Sequence, residues 1–474
     1  MGRFKTLASN TLIFTICNFT SKLLVFFMLP FYTAVLSKEE FGTSDLIVTI
    51  VGLLMPVLSL SVAHGCMRFA LDKSNNTREV FTFGMKVNVL GCLLLVLSTP
   101  ILMKIGIIKD YVLIFLLLYI THVFQSFFSL FARGINKVKL VGVAGVASSF
   151  IVVFANLILL FVFHFGVKGY LWSMVISYLS SCVVLFWGGK MQVYFTSSRN
   201  RLLDKEITYY SLPLIPNSLS WWINHSANRL ILNHYCGVAD VGLYSAASKM
   251  PSIIDTFRGI FVQAWQLSTI TEYEKKDSAN FFASMYRAYN LFIILLCSFL
   301  VMFSQLLAHI LYSSDFFEAW LFTPYLLVGV VFASLVAYYS PFYLAHKKTK
   351  ILFYSTFAGA VITIVFNLLL IPCMGIMGAA LTSVISNLII YLWLHIDSAK
   401  YMDYKVNNVR YYISYGLIIL QATCVSLMNQ SPLGIISVCC SIAVVLLNLS
   451  DLKAFYKIGY SAYKSYRGKR SKQA

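Results

Sequence analysis

The sequence predicts an all-α polytopic membrane protein. It has fourteen transmembrane helices in two pseudo-symmetric six-helix bundles, two further helices appended, and both termini in the cytoplasm. Three observations predict this: the composition, the number of apolar runs, and the side on which the basic residues fall. Of 474 residues, 59% are hydrophobic and only 12% charged, about half the charge of an ordinary soluble domain at roughly 25%. A soluble particle of this length has too little interior for so much apolar side chain. The mean hydropathy of +0.77 points to lipid as the main solvent. The formal charge of +19 would suggest nucleic acid in a soluble protein. In a membrane protein it suggests cytoplasmic loops instead, and nucleic acid is excluded as a partner.

A span needs about 20 mostly apolar residues. Fourteen such runs follow one another: 9–36, 42–67, 80–103, 111–132, 140–164, 168–189, 208–234, 240–268, 282–311, 321–344, 351–371, 376–396, 410–428 and 433–450. The first follows Arg3 and Lys5 and imitates a signal peptide, but it is too long for one and reads as an uncleaved helix. With the N-terminus inside, the inner connectors and the tail hold 29 Lys and Arg against four outside, Lys38, Lys104, Lys109 and Lys168. That bias supports an even number of spans. The expected divisions are 1–190 for the first bundle, 191–207 for a cytoplasmic linker, and 208–398 for the second bundle. Residues 399–452 hold the appended helices, and 453–474 a basic tail. The ten cysteines lie mostly in apolar runs, without metal spacing, and read as small core residues.

An internal repeat underlies the two bundles. Residues 156–179 and 367–388 share an Asn-Leu start, a GxxG turn (Gly166/Gly169 and Gly375/Gly378) and a Val-Ile-Ser run. A basic connector precedes each, ARGINKVK at 132–139 and AHKKTK at 345–350. Glu40-Phe-Gly42 likewise matches Asp240-Val-Gly242. Six spans per copy give both copies one orientation, an arrangement that encloses a central site of alternating access.

Four cations lie inside the spans: Lys22, Arg229, Lys249 and Arg258. On the first span Thr15, Asn18 and Lys22 share a helical stripe with Thr11. Lys22 lies near mid-depth, roughly 20 Å along the helix, where a charge is costly unless it faces protein or water. The seventh span carries Trp222, Asn224, His225, Asn228 and Arg229, and the repeat pairs Asn18 with Ser218 and Lys22 with Trp222. On the eighth, Lys249 shares a stripe with Ser245, Ser252 and Thr256, and Asp255 and Arg258 are spaced as a helical ion pair. Lys22, Arg229 and Lys249 have no acid at pairing distance on their own helix. Their partner is an acid on another span, such as Asp45, or a ligand; Arg229, near the outer end, can also snorkel. Cations hold phosphate, Asn, Ser and Thr bond sugar hydroxyls, and aromatic faces stack on sugar rings. The expected cargo is anionic with a hydroxyl-rich head, and Asp255 and Asp45 are the candidate coupling acids. No metal site and no cofactor is expected. Pro30, Pro56, Pro251 and Pro341 are expected bend points.

The N-terminal stripe ending in Lys22, the SKEEFGTSDL turn, the ARGINKVK connector and the two GxxG helices together resemble an oligosaccharide flippase. The family is the polysaccharide transporter branch of the multidrug/oligosaccharidyl-lipid/polysaccharide exporter superfamily, and the resemblance covers nearly the whole chain. It implies V-shaped bundles around a cavity in a bacterial cytoplasmic membrane. It also implies transfer of undecaprenyl-diphosphate-linked oligosaccharide from the cytoplasmic to the outer leaflet; the expected energy source is counter-transport of a proton or Na⁺, or the membrane potential, and contacts with the glycan polymerase are expected. The basic residue that relatives place in the first helix falls on Lys22. The alternative is a cation-coupled multidrug exporter of the same architecture. An enzyme is not expected, since no outer loop exceeds about ten residues and no nucleophile–base pair stands out.

Overall fold

The computed structural model describes residues 24, 26–72, 74–272, 278–346, 348–400, 408–427 and 432–453. Every regular element among them is helical. A chain in lipid must satisfy its backbone within each segment, which only helices and closed barrels do. In chain order the main helices begin with α1 (Leu29–Val35), α2 (Lys38–Leu58), α3 (Val62–Leu71), α4 (Thr77–Leu97), α5 (Val112–Gly134), α6 (Val138–Asn156), α7 (Gly166–Gly188), α8 (Arg201–Ser211) and α9 (Leu214–Cys236). There follow α10 (Val238–Ala247), α11 (Ser252–Glu272), α12 (Ser278–Met302), α13 (Thr323–Ala345), α14 (Thr349–Met374), α15 (Ile376–Ser398), α16 (Asn408–Leu427) and α17 (Pro432–Leu447).

Nine helices among the described residues are long and apolar enough to cross a membrane: α2, α4, α5, α6 with its continuation to Val162, α7, α12, α13, α14 and α15. The protein is therefore a multi-pass membrane protein. Of the other expected spans, those that fall on described residues are shorter, more polar or interrupted, and most of the first lies outside them. The run expected at 42–67 is broken at Ser59–Ser61, where Leu60 and Ser61 both take φ 50°. Pro56, in the last turn of α2, has no N–H for the helical ladder. The run expected at 240–268 is broken at residues 248–251, ahead of α11, and Pro251 ends the break. Proline does not always interrupt, since α13 runs on through Pro341. At Met28 the first helix pauses and restarts with Pro30 in the first turn of α1, a position where the missing N–H costs no hydrogen bond.

The chain forms two compact units. One comprises Met1–Ala246, Leu311–Phe316 and Thr363–Ile376, and the other Ala247–Ile310, Phe317–Ile362 and Met377–Ala474. This division does not follow the linker at 191–207. Within the first unit, the ends of second-repeat helices that lie away from the basic connectors pack with the first repeat. The unit boundary at Ala246/Ala247 lies at the end of α10, just before the break at 248–251.

In the first unit Phe81 is fully buried against Phe127 (5.5 Å between rings) and Phe131 (4.8 Å), beside the basic connectors. A second cluster centres on Ile47, Phe115, Leu118, Tyr119 and Leu171. In the second unit the core is phenolic: the Tyr286 and Tyr391 hydroxyls are 2.6 Å apart, Tyr415 donates to Asn290 (2.9 Å), and Tyr339 meets His395 (2.6 Å). Lipid tails are as apolar as these side chains, so close packing and interhelical hydrogen bonds hold such bundles together. α6 and α14, the repeat-related fifth spans, are the least covered of the nine, and they expose Phe150, Phe154, Phe357 and Leu369.

Candidate functional site

The two repeats meet where the sequence matches them. Ser37 caps α2, accepting from the Glu40 amide (3.1 Å) while the Glu40 side chain accepts from the Ser37 amide (2.9 Å). That fixes the entry of α2 so that Gly42 lies against α10. A Cβ on Gly42 would overlap the Val238 carbonyl oxygen, and one on Gly242 would overlap the Lys38 carbonyl oxygen. Residues 38 and 42 stand 200 positions before 238 and 242, so the contact is reciprocal, as a two-fold axis requires. The GxxG match holds in the backbone too: Gly166 and Gly375 both turn at positive φ, 51° and 55°, which favours glycine.

One turn further along the axis the equivalent pair is Asp45 and Ser245, and the Ser245 hydroxyl donates to Asp45 Oδ2 (2.7 Å). Arg229 Nε donates to the same carboxylate oxygen. The guanidinium also donates to the His225 carbonyl (3.1 Å) and lies over the Tyr244 ring, 5.7 Å from its centroid. The carboxylate answers the Arg229 charge inside the protein, at the end of the helices away from the basic connectors.

Toward the middle of α9 the pairing becomes neutral. Asn228, fully buried, donates to the Tyr244 hydroxyl (2.9 Å) and accepts from Asn367 (2.7 Å). Asn224 accepts from Thr363 (3.2 Å), and Trp222 donates to the Thr49 carbonyl (3.1 Å). His225 is exposed and stacks on Trp221, 5.3 Å between centroids. Asp45, Trp222, Asn224, Asn228 and Arg229 thus form one polar seam where α9 meets α2, α10 and α14.

Three members of that seam, Ser245, Thr363 and Asn367, complete it. Ser245 stood on an expected stripe, and Asn367 was singled out only as a repeat marker. Thr363 carries no sequence signal, since it lies in an apolar run without polar periodicity.

The second unit holds the other two cations. Arg258 lies 2.8 Å from Asp255 Oδ1, off the line a hydrogen bond needs, and both are half-buried. Lys249, also half-buried, sits in the α10–α11 break and not on a helix. Thr15, Asn18 and Lys22 lie outside the described residues.

Residues 7–266, more than half of the chain, match the family described as polysaccharide biosynthesis protein. Among curated proteins none matches the sequence. A structure titled lipid II flippase MurJ, in an inward closed conformation, aligns with TM-score 0.72 at 14% identity, covering 94% of this chain and 99% of that one. An inward-facing multidrug resistance MATE transporter aligns with TM-score 0.68 at 14% identity over 83% and 99%. A transporter of the same superfamily from Pyrococcus furiosus aligns with TM-score 0.59 at 15% identity over 82% and 96%. At these identities the likeness is one of fold. Joined to the family match and to the repeat, it places the chain in the polysaccharide biosynthesis protein family, on the fold of the multidrug/oligosaccharidyl-lipid/polysaccharide exporter superfamily.

Proposed function

We propose that the chain is a flippase that carries undecaprenyl-diphosphate-linked oligosaccharide repeat units from the cytoplasmic to the outer leaflet of a bacterial cytoplasmic membrane, for assembly of O-antigen, capsule or exopolysaccharide. The observation that carries the reading is membership of a polysaccharide biosynthesis family on a transporter fold. In this reading fourteen helices span the membrane with both termini inside. Lys22, Lys249 and Arg258 hold the diphosphate, while Thr15, Asn18, Trp222, Asn224, His225 and Asn228 hold the glycan, and the polyprenyl tail stays in lipid. The Gly42–Gly242 crossing and the Asp45–Arg229–Ser245 cluster close the outer end, and they part to release the glycan. A pair with one shared carboxylate suits such a gate, because protonation of Asp45, or Na⁺ taken by Asp45 or Asp255, would weaken it. The product passes to the glycan polymerase.

The test is complementation in a strain that lacks its repeat-unit flippase. The native chain and Lys22→Arg restore surface glycan, and Lys22→Ala does not at equal protein level. Full export by Lys22→Ala would remove Lys22 from the mechanism. The likeness to multidrug transporters supports a second reading, a cation-coupled drug exporter. Drug resistance conferred by the native chain and lost in Asp255→Asn, with no glycan restored, would favour it.

A further inference from the structure

Within the first unit α1, α6 and α7 line a partly open cavity of about 270 Å³, room for roughly nine waters at about 30 Å³ each or for one ring-sized solute. Its polar wall includes Tyr32, Ser148, Asn156, Tyr170, Ser177 and Tyr178, and among the described residues no charged one lines it. We infer that this cavity binds one neutral sugar ring of the glycan, apart from the cations that hold the phosphates. The inference rests on the flippase reading for its cargo, and on the cavity alone for its chemistry.

Serines in apolar spans commonly serve to bring helices close. Ser148 and Ser177 do touch, with their hydroxyls 2.7 Å apart and Ser177 donating to the Ser148 carbonyl (2.8 Å). That contact does not fill the cleft, however, and polar side chains still face it. The polar groups point to an occupant that hydrogen-bonds. Asn156, fully buried, donates to the Tyr32 hydroxyl (2.9 Å) and accepts from Ser173 (2.8 Å), so its amide is fixed in orientation. The hydroxyls of Tyr170 and Tyr178 make no hydrogen bond among the described residues, which leaves two donors for a ligand. Ring contacts position both: Tyr178 stacks on His122 at 4.6 Å, and Tyr170 meets Tyr32, itself part of the wall, edge-on at 5.2 Å.

This chemistry selects by exclusion. Among the described lining residues there is no carboxylate to draw a cation and no Lys or Arg to draw an anion. An acyl chain would strand the hydroxyls without partners. A sugar ring has hydroxyls for Ser, Asn and Tyr and an apolar face for the phenol rings, the mix that small-molecule pockets present.

Saturation-transfer NMR on the full chain in nanodiscs tests it, with glucose, galactose and N-acetylglucosamine as neutral probes and inorganic pyrophosphate as the charged control. At least one sugar receives saturation from the native chain. Ser148→Leu, which fills the cavity, abolishes that signal, and Tyr178→Phe, which removes one oxygen, weakens binding about fivefold. Pyrophosphate binding is unchanged in both. A cavity holding water only gives no sugar signal and overturns the inference, as does a signal equal in the native chain and both variants. Tyr178→Phe guards against misfolding of the bulkier variant. Glycan export in the complementation strain separates the two claims. If export is restored and both variants bind sugar and export like the native chain, the cavity assignment falls and the flippase reading stands. If export is not restored but variant-sensitive sugar binding persists, the flippase reading falls and the cavity stands as a sugar site.

Discussion

Asp45 carries three roles on one carboxylate: it pairs with Arg229, accepts from Ser245, and marks the point where equivalent residues of the two repeats face each other. The sequence offers Asp45 only as an example of an acid on another span that could pair with one of the cations, and spacing does not say which cation it takes. Removing one side of a half-buried pair leaves the other desolvated, at about 2 kcal/mol. Asp45→Ala and Arg229→Ala should each lower the melting temperature of the chain in nanodiscs. The double variant should melt well above the sum of the two losses, with a coupling of about 1–2 kcal/mol. Additive losses would show that the pair contributes nothing as a pair. Asn228 and Asn367 teach the complementary lesson. Asn228 stood out on a polar helix, whereas its partner lies in one of the most apolar helices of the chain, and no periodicity marks a lone buried amide there.

At the scale of elements, the apolar runs were legible, and so was the repeat, because GxxG turns leave a backbone requirement that only a few residues meet. Helix breaks were legible in part. Pro56 and Pro251 sit beside interruptions and Pro341 does not, since a proline near a helix end ends it while neighbouring helices can hold one in place. The polar character of α9 keeps it out of the nine helices that, among the described residues, are long and apolar enough to cross a membrane. The α2–α10 crossing depends on two missing side chains. Gly42→Ala should cost more than about 2 kcal/mol, because the methyl group would meet a backbone carbonyl that cannot turn aside. Gly145→Ala, with open space around its Cβ, should melt at or slightly above the native temperature. Equal melting of the two variants would remove the crossing as a structural requirement.

For the whole molecule, fold class followed from composition and from the count of apolar runs, because lipid imposes helices on any chain that apolar. Function followed less directly. The +19 resolved into basic connectors on one side and four cations within the spans, yet chain position alone could not separate a cation that holds cargo from one that closes a gate. The structure places Arg229 beside Asp45, and the proposed cargo role is tested first at Lys22, which lies outside the described residues. The most direct test reconstitutes the purified chain in vesicles with a polyprenyl-diphosphate oligosaccharide that carries a fluorophore on its glycan, and then adds an impermeant quencher. The native chain should raise the quenched fraction above that of protein-free vesicles, and Lys22→Ala should not. A quenched fraction equal to that of protein-free vesicles, from a folded native chain, would contradict the account.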